Sequence, residues 1–291
     1  MPRHTLGAQR LIKVFQTLIQ QHLNFNDLHA LSSLPSAPNE WKLDRVKEID
    51  STSSELMRRA KSGRFEPTLL VAREQTAGRG RQGRKWVSEP GQALTCSLGV
   101  LFKPKDWMGL SLAIGTALLK AIDPLSSLEL GLKWPNDVWH IGTKGPAKVA
   151  GILIETVSTS THSLGETSRY CIIGIGLNRF TPNLSGFEGP FPQPIGLSEL
   201  GCSMNEDELL SRILAEITPA LTLFEEHGFK PFQADFNRLD LLKNQEVSID
   251  SAPFGVAVGV SECGELKVNT IRGLKTIVSQ EVSVRPSHLL Q

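Results

Sequence analysis

Residues 71–89 read VAREQTAGRGRQGRKWVSE, and within them Gly78, Gly80 and Gly83 alternate with Arg79, Arg81 and Arg84. Glycine lets backbone approach a ligand closely, and arginine neutralises anionic oxygens. With Lys85, four cations stand within eight residues, which suits a loop that receives a phosphate or a carboxylate. The spacing matches GxGxxG, but a dinucleotide site needs a helix opening at the loop and an acidic residue about 20 residues on. Here the chain continues KWVSEPGQ, where Pro90 and Gly91 preclude a long helix. Arg84 and Lys85 after Gly83 exclude a Walker loop, and the HRD and DFG signatures of protein kinases are missing.

The flanks predict an alternation of helices and strands. Upstream, TSSELMRRAKSG carries Thr52 and Glu55 as a capping box, with Gly63 placed to end the helix. Strands are predicted at 68–73, 94–103, 128–134, 148–155 and 170–176, the last two apolar enough to be central, and a helix at 107–122. Residues 180–194 are rich in Gly and Pro and read as an irregular loop. Ser203 and Glu206 form a second capping box, opening a helix toward His227 with a kink at Pro219. The stripe Leu209, Leu210, Ile213, Leu214 and Ile217 reads as its core face. Helical signal ends near Leu242, and short β-like runs over 246–284 predict a small barrel.

At the other end, residues 1–26 lack acids and repeat apolar residues at helical spacing, so they predict an amphipathic helix. Residues 31–40, LSSLPSAPNE, read as a linker, which puts a boundary near 41. Lys13 and Gln16 interrupt the apolar run as a signal peptide would not, and the lack of serine disfavours a transit peptide.

Composition excludes several classes. The 291 residues are 40% hydrophobic and 21% charged, ordinary for a globular protein with enough chain for two cores. Lys plus Arg is 31 against 30 Asp plus Glu, a net charge of +1, so no global footprint for nucleic acid exists. The four cysteines contain no CxxC and the seven histidines show no metal-ligand spacing, so no zinc or dithiol site is spelled out. The longest apolar stretch, 108–119, falls short of a bilayer span. A reduced, cytoplasmic protein is the simpler expectation.

Three further clusters stand downstream: LKWPNDVW at 132–139, KVAGILIE at 148–155 and IIGIGLN at 172–178. Singly, each is compatible with a turn or a strand flank, and Trp86 and Trp134 with core or with a ligand wall. Jointly, and in this order, GRGRQGRKW, KWPND, KVAGILIE and GIGLN resemble the biotin protein ligases, with Asp50, Ser51, Thr52 and Ser53 standing as their DSTN-like element. The resemblance covers roughly residues 43–285. It implies an α+β fold: a mixed-sheet ligase domain like that of class II aminoacyl-tRNA synthetases over 41–241, followed by an SH3-like barrel over 242–291, with 1–40 a helical extension.

It further implies a two-step ligation, in which biotin and MgATP give biotinyl-5′-AMP and a lysine of a carboxylase carrier protein, such as that of acetyl-CoA carboxylase, displaces AMP. Lys148 would then contact the biotin carboxyl and the α-phosphate, Arg81 would clamp the adenylate, and Arg84 would reach ATP phosphates. Asn136 and Asn178 would lie on the ATP side, and Asp137 would meet Mg²⁺. Biotin would be held by Ser51, Thr52, Ser53, Gln75, Arg79 and the backbone at Gly78 and Gly80, with Ser53 where the family often has Asn. A monomer or a homodimer is implied, with no membrane partner. Some members add a helix-turn-helix and act as biotin-sensing repressors; with residues 1–40 alone before the catalytic region, specific DNA binding is not expected. A repressor with a reduced DNA-binding element stays the second reading. A lipoate or octanoate ligase is third, its RRxGGG-type loop being absent.

Overall fold

The computed structural model describes residues 41–87, 89–124, 126–143, 145–159, 168–183, 193–249, 252–278 and 284–286. The expected N-terminal helix and linker lie outside the described residues, as do residues 184–192 of the expected loop.

Seven strands form one mixed sheet: β1 (Lys42–Ile49), β2 (Thr68–Gln75), β3 (Ala93–Phe102), β4 (Leu130–Lys133), β5 (Asp137–Gly142), β6 (Gly145–Ser158) and β7 (Arg169–Asn178). Their order is β1-β2-β3-β7-β6-β5-β4, with β1 parallel to β2 and the other neighbours antiparallel. Helix α1 (Thr52–Lys61) packs Leu56 and Ala60 on one face, against Leu70, Tyr170 and Ile172. Helices α2 (Leu110–Ile122) and α3 (Glu206–His227) cover the opposite face over Leu69, Val71, Cys96 and Ile173. Burial from both sides is why β3 and β7 read as continuous apolar runs.

After α4 (Gln233–Leu239), a second, antiparallel sheet follows: β8 (Glu246–Ile249), β9 (Ala252–Val260), β10 (Leu266–Thr270), β11 (Gly273–Ile277) and β12 (Val284–Pro286), in the order β11-β10-β9-β8-β12. It takes the place expected for the small barrel. Val247, Val260, Leu266 and Val268 join the main core, and Trp134 Nε1 donates to the Gly264 carbonyl at 3.1 Å. Trp134 is therefore a buried tie between the two sheets rather than a ligand wall. No helix among the described residues is long and apolar enough to cross a membrane.

Several expectations need correction. Strands β1 and β5 have no counterpart in the sequence reading: KLDRVKEI carries too many charges for an apolar pattern, because β1 is an edge strand. The cap of α1 is Ser51, whose Oγ accepts from Ser54 N, and Thr52 is already helical. The cap of α3 is Asn205, in a capping box with Glu208, not Ser203 with Glu206. Starting there sets Glu206, Asp207 and Glu208 in the first turn, where the helix dipole favours acids. The helix then runs unbroken through Pro219.

Burial lifts the Asp240 carboxyl to about 6 from an ordinary 3.8, partly offset by the Leu242 N–H on Oδ1. Its Oδ2 is buried and has no hydrogen-bond partner among the described residues. The folded chain thus holds this proton more tightly than the unfolded chain. Stability from this group is fully present below about pH 4 and is lost as pH rises toward 6, by on the order of 3 kcal/mol. Asp240→Asn is expected to raise the melting temperature at pH 8 and not at pH 4. Equal shifts at both pH values in thermal melts would contradict this.

Candidate active site

Three glycines open the α1 face of the sheet. Gly151 on β6 pairs with Gly176 on β7, and Gly174 follows on the same face two residues away, about 7 Å along the strand. A Cβ at Gly176 would lie 2.4 Å from the Trp86 ring, and one at Gly174 2.5 Å from Ser53 Oγ. Trp86 and Ser53 thus rest side by side on bare backbone, and the motifs AGI and GIG are explained by close approach. Gly176→Ala is expected to displace Trp86 and raise the KM for a small substrate bound on this face roughly tenfold or more. An unchanged KM in steady-state assays would exclude that role for the glycine.

The glycine-arginine loop folds back on itself: Trp86 N–H donates to the Gly78 carbonyl at 2.9 Å and Gly80 N–H to the Arg84 carbonyl at 2.7 Å. Only glycine fits at 78, where a Cβ would meet the Trp86 carbonyl at 2.5 Å. At the tip, Gln82 and Gly83 take positive φ of 56° and 70°, so Gly83 supplies the turn. No helix opens at the loop; only the short 3₁₀ turn Arg81–Gly83 stands there.

Its arginines diverge. Arg79 Nη2 binds Glu155 Oε2 on β6 at 2.5 Å, whereas Arg81 Nη1 donates to Asn136 Oδ1 at 3.2 Å. Burial lowers the pKa of Arg81, while the Asp137 charge opposes that shift. Arg84 is exposed, with Nη2 on Gln82 Oε1 at 3.0 Å.

Lys148 reaches this face through a break in register. β5 and β6 pair Val138 with Ala150 but Trp139 with Lys148, so Val149 is an extra, bulged residue that turns Lys148 to the side of Gly151 and Asp137. Lys148 Nζ stands 2.7 Å from Asp137 Oδ1 and 5.7 Å from the centre of the Trp86 ring. The contact with Asp137 is one of charge without hydrogen-bond direction, so among the described residues this buried oxygen has no hydrogen-bond partner. Asn178 is buried, with Nδ2 on the Lys148 carbonyl at 3.2 Å. In this arrangement it steadies the strand that carries the lysine.

A second, uncharged cluster lies at the start of α1. Asp50, held down to about 2 chiefly by a bidentate Arg58, accepts Ser51 N–H and keeps the turn in place. Gln75 Oε1 accepts from Thr52 N–H at 2.7 Å and Thr52 Oγ1 at 3.1 Å. Ser97 Oγ on β3 lies 2.8 Å from Thr52 Oγ1 and 3.0 Å from Ser53 Oγ. The structure thus brings Ser51, Thr52, Ser53 and Gln75 together, and separately Arg81, Asn136, Asp137 and Lys148, with Trp86 against Lys148. Ser97 was missed as a site residue, since a serine within an apolar strand carries no signal of its own; Glu155 and the three glycines lay inside the motifs KVAGILIE and IIGIGLN but were given no role there.

The model of the biotin/lipoate A/B protein ligase family matches residues 43–178. The bifunctional ligase/repressor BirA of Escherichia coli is 32% identical over 253 residues, which cover 85% of this chain and 71% of that protein. The biotin–[acetyl-CoA-carboxylase] ligase of Mycobacterium tuberculosis is 30% identical over 258 residues, 84% of this chain and 89% of that one. The structure of biotin protein ligase from Aquifex aeolicus in complex with biotin and ATP aligns with a TM-score of 0.67 at 31% identity, covering 84% of this chain and 99% of that one. Likeness of this extent, with the family model spanning the motifs that line the site, makes the chain a member of the biotin protein ligase family and a biotin ligase enzyme.

Proposed function

We propose that the chain activates biotin with ATP as biotinyl-5′-AMP and passes biotin to a lysine of a carboxylase carrier domain, with residues 41–241 as the ligase domain and 242–291 as a separate small one. The carrying observation is the pairing of two chemically distinct clusters on one glycine-lined sheet face. One is cationic (Arg81, Lys148) and the other neutral and hydrogen-bonding (Ser51, Thr52, Ser53, Gln75).

Biotin's ureido ring has a carbonyl between two N–H groups. Gln75 Nε2 has no partner among the described residues, and the Ser51 hydroxyl hydrogen remains available, so two donors suit the carbonyl. Thr52 and Ser53 oxygens suit the N–H groups. Because the ring is neutral and the Arg79 guanidinium is engaged by Glu155, Arg79 serves biotin through its backbone.

In the first step a biotin carboxylate oxygen attacks the α-phosphorus, and the bond to the β-phosphate breaks to release pyrophosphate. Lys148 lies between the two anions and offsets their repulsion, and Arg81 stabilises charge on the α-phosphoryl oxygens. In the second step the acceptor amine attacks the acyl carbon, AMP leaves, and the amine proton goes to solvent. Asp137 Oδ1, buried without a hydrogen bond, is a hard donor fit for Mg²⁺ delivered with ATP, and no cluster of three acidic, Cys or His residues among those described would hold the ion alone. When bound, that ion would offset phosphate charge.

ATP–pyrophosphate exchange with biotin, lipoate and octanoate in parallel tests the reading; exchange driven only by lipoate or octanoate would overturn it. The relatives named ligase/repressor make DNA binding the second reading. The net charge of +1 argues against it, since specific binders hold their sites about 10³-fold or more above other DNA through a basic surface. A mobility-shift titration at physiological salt against the host's biotin-synthesis promoters is expected to give no competitor-resistant complex. A cytoplasmic monomer or homodimer completes the proposal.

A further inference from the structure

No sequence motif points to Ser97, yet it is fully buried under the neutral cluster, and the hydrogen bonds there run in one direction only. Thr52 N–H donates to Gln75 Oε1 at 2.7 Å, which orients the amide, because its nitrogen cannot accept that hydrogen. Thr52 Oγ1 lies 3.1 Å from the same oxygen, so its single hydrogen is spent there. The 2.8 Å contact between Thr52 Oγ1 and Ser97 Oγ is then donated by Ser97. The 3.0 Å contact between Ser97 Oγ and Ser53 Oγ is in turn donated by Ser53. Hydrogens pass from Ser53 to Ser97 to Thr52 to Gln75, and each hydroxyl has only one to give.

We propose that Ser97 is a positioning and specificity-determining residue: by taking the Ser53 hydrogen, while the Thr52 hydrogen is spent on Gln75, it leaves both of those hydroxyls with lone pairs alone to offer a ligand. Such a pair selects a ring that presents two N–H donors. The inference rests on the ureido reading above. A ligand with an ether oxygen in place of one N–H would meet lone pair against lone pair, a mismatch that costs far more than a lost methylene. Without Ser97 the Ser53 hydrogen is released, so it opposes an N–H and welcomes an oxygen.

Calorimetric binding to the full chain tests this, with biotin and with an analogue whose ureido N–H toward Ser53 is replaced by oxygen. Wild type is expected to favour biotin strongly. Ser97→Ala is expected to weaken biotin roughly tenfold and the analogue much less, so that the preference shrinks. Maximal pyrophosphate exchange at saturating biotin is expected to stay the same. Ser97→Cys keeps the size and a weak donor, so it is expected to be intermediate and carries the test if the alanine variant unfolds. An equal loss for both ligands, or none, overturns the role of Ser97. Failure of wild type to bind biotin overturns the ureido reading and this inference with it.

Discussion

Lys148→Met is expected to lower biotin-dependent ATP–pyrophosphate exchange by on the order of 10²-fold or more, the usual cost of removing one preorganised cation from a charged transition state. Lys148 stands on the bulge of β6, 2.7 Å from Asp137 and beside the ring of Trp86. Lys133 pairs with Asp137 across β4 and β5 and lies over the Trp139 ring, so Lys148 is the lysine that stands beside Trp86. Methionine keeps an unbranched stem as far as Cε, so the space beside Trp86 stays largely filled while the charge is lost. Asp137 then loses its ion-pair partner, and the melting temperature is expected to fall only slightly, as Lys148 is partly exposed. Lys148→Arg, which retains the charge, is expected to recover part of the exchange rate. Near-normal exchange in the methionine variant would remove Lys148 from the catalytic role.

Arg81→Gly is expected to leave activation measurable but to release the adenylate, with an escape rate roughly 10²-fold or more above wild type. A mixed anhydride reacts with any amine, so the enzyme has to hold it until the right lysine docks. Arg81 is half-buried at the loop tip, steadied by Asn136 Oδ1 and within the field of Asp137. A guanidinium on phosphate makes charge-assisted bonds of about 1.5 to 3 kcal/mol each, and two of them account for the factor. Glycine at 81 also loosens the backbone beside Gly80, so Arg81→Met, which removes only the charge, is the companion variant. Mass spectrometry of serum albumin added to the assay reads the leak. Modification of the carrier protein alone, at the wild-type ratio, would show that Arg81 is not the clamp.

Much of this site was legible as residue types before any fold. The glycine-arginine loop stood out by its composition, and exclusion of the dinucleotide fingerprint held because no helix opens there. The helix at 110–122, the long helix ending at His227 and the central strands were legible from periodicity, since burial of one stripe or of both faces is written into neighbouring residues. Helix starts were misread: the box read at Ser203 and Glu206 gives way to Asn205 with Glu208, which sets three acids in the first turn.

What the sequence by itself determined is the inventory: a glycine-arginine loop, a lysine, a carboxylate, a set of hydroxyls, and the resemblance that joins them to one chemistry. What only the tertiary structure decided is their arrangement. Alternation alone would send Lys148 to the opposite face from Gly151; the bulge at Val149, which exists only where β5 and β6 pair, brings it back. Trp86 and Trp134 are alike in sequence, yet one lies on glycines at the site and the other ties the two sheets together. Ser97 gains its part only because β3 passes beneath the start of α1. Periodicity reports how deeply a residue is buried, but which strand lies beside it is settled by pairings between residues distant in the chain, and those leave no local mark.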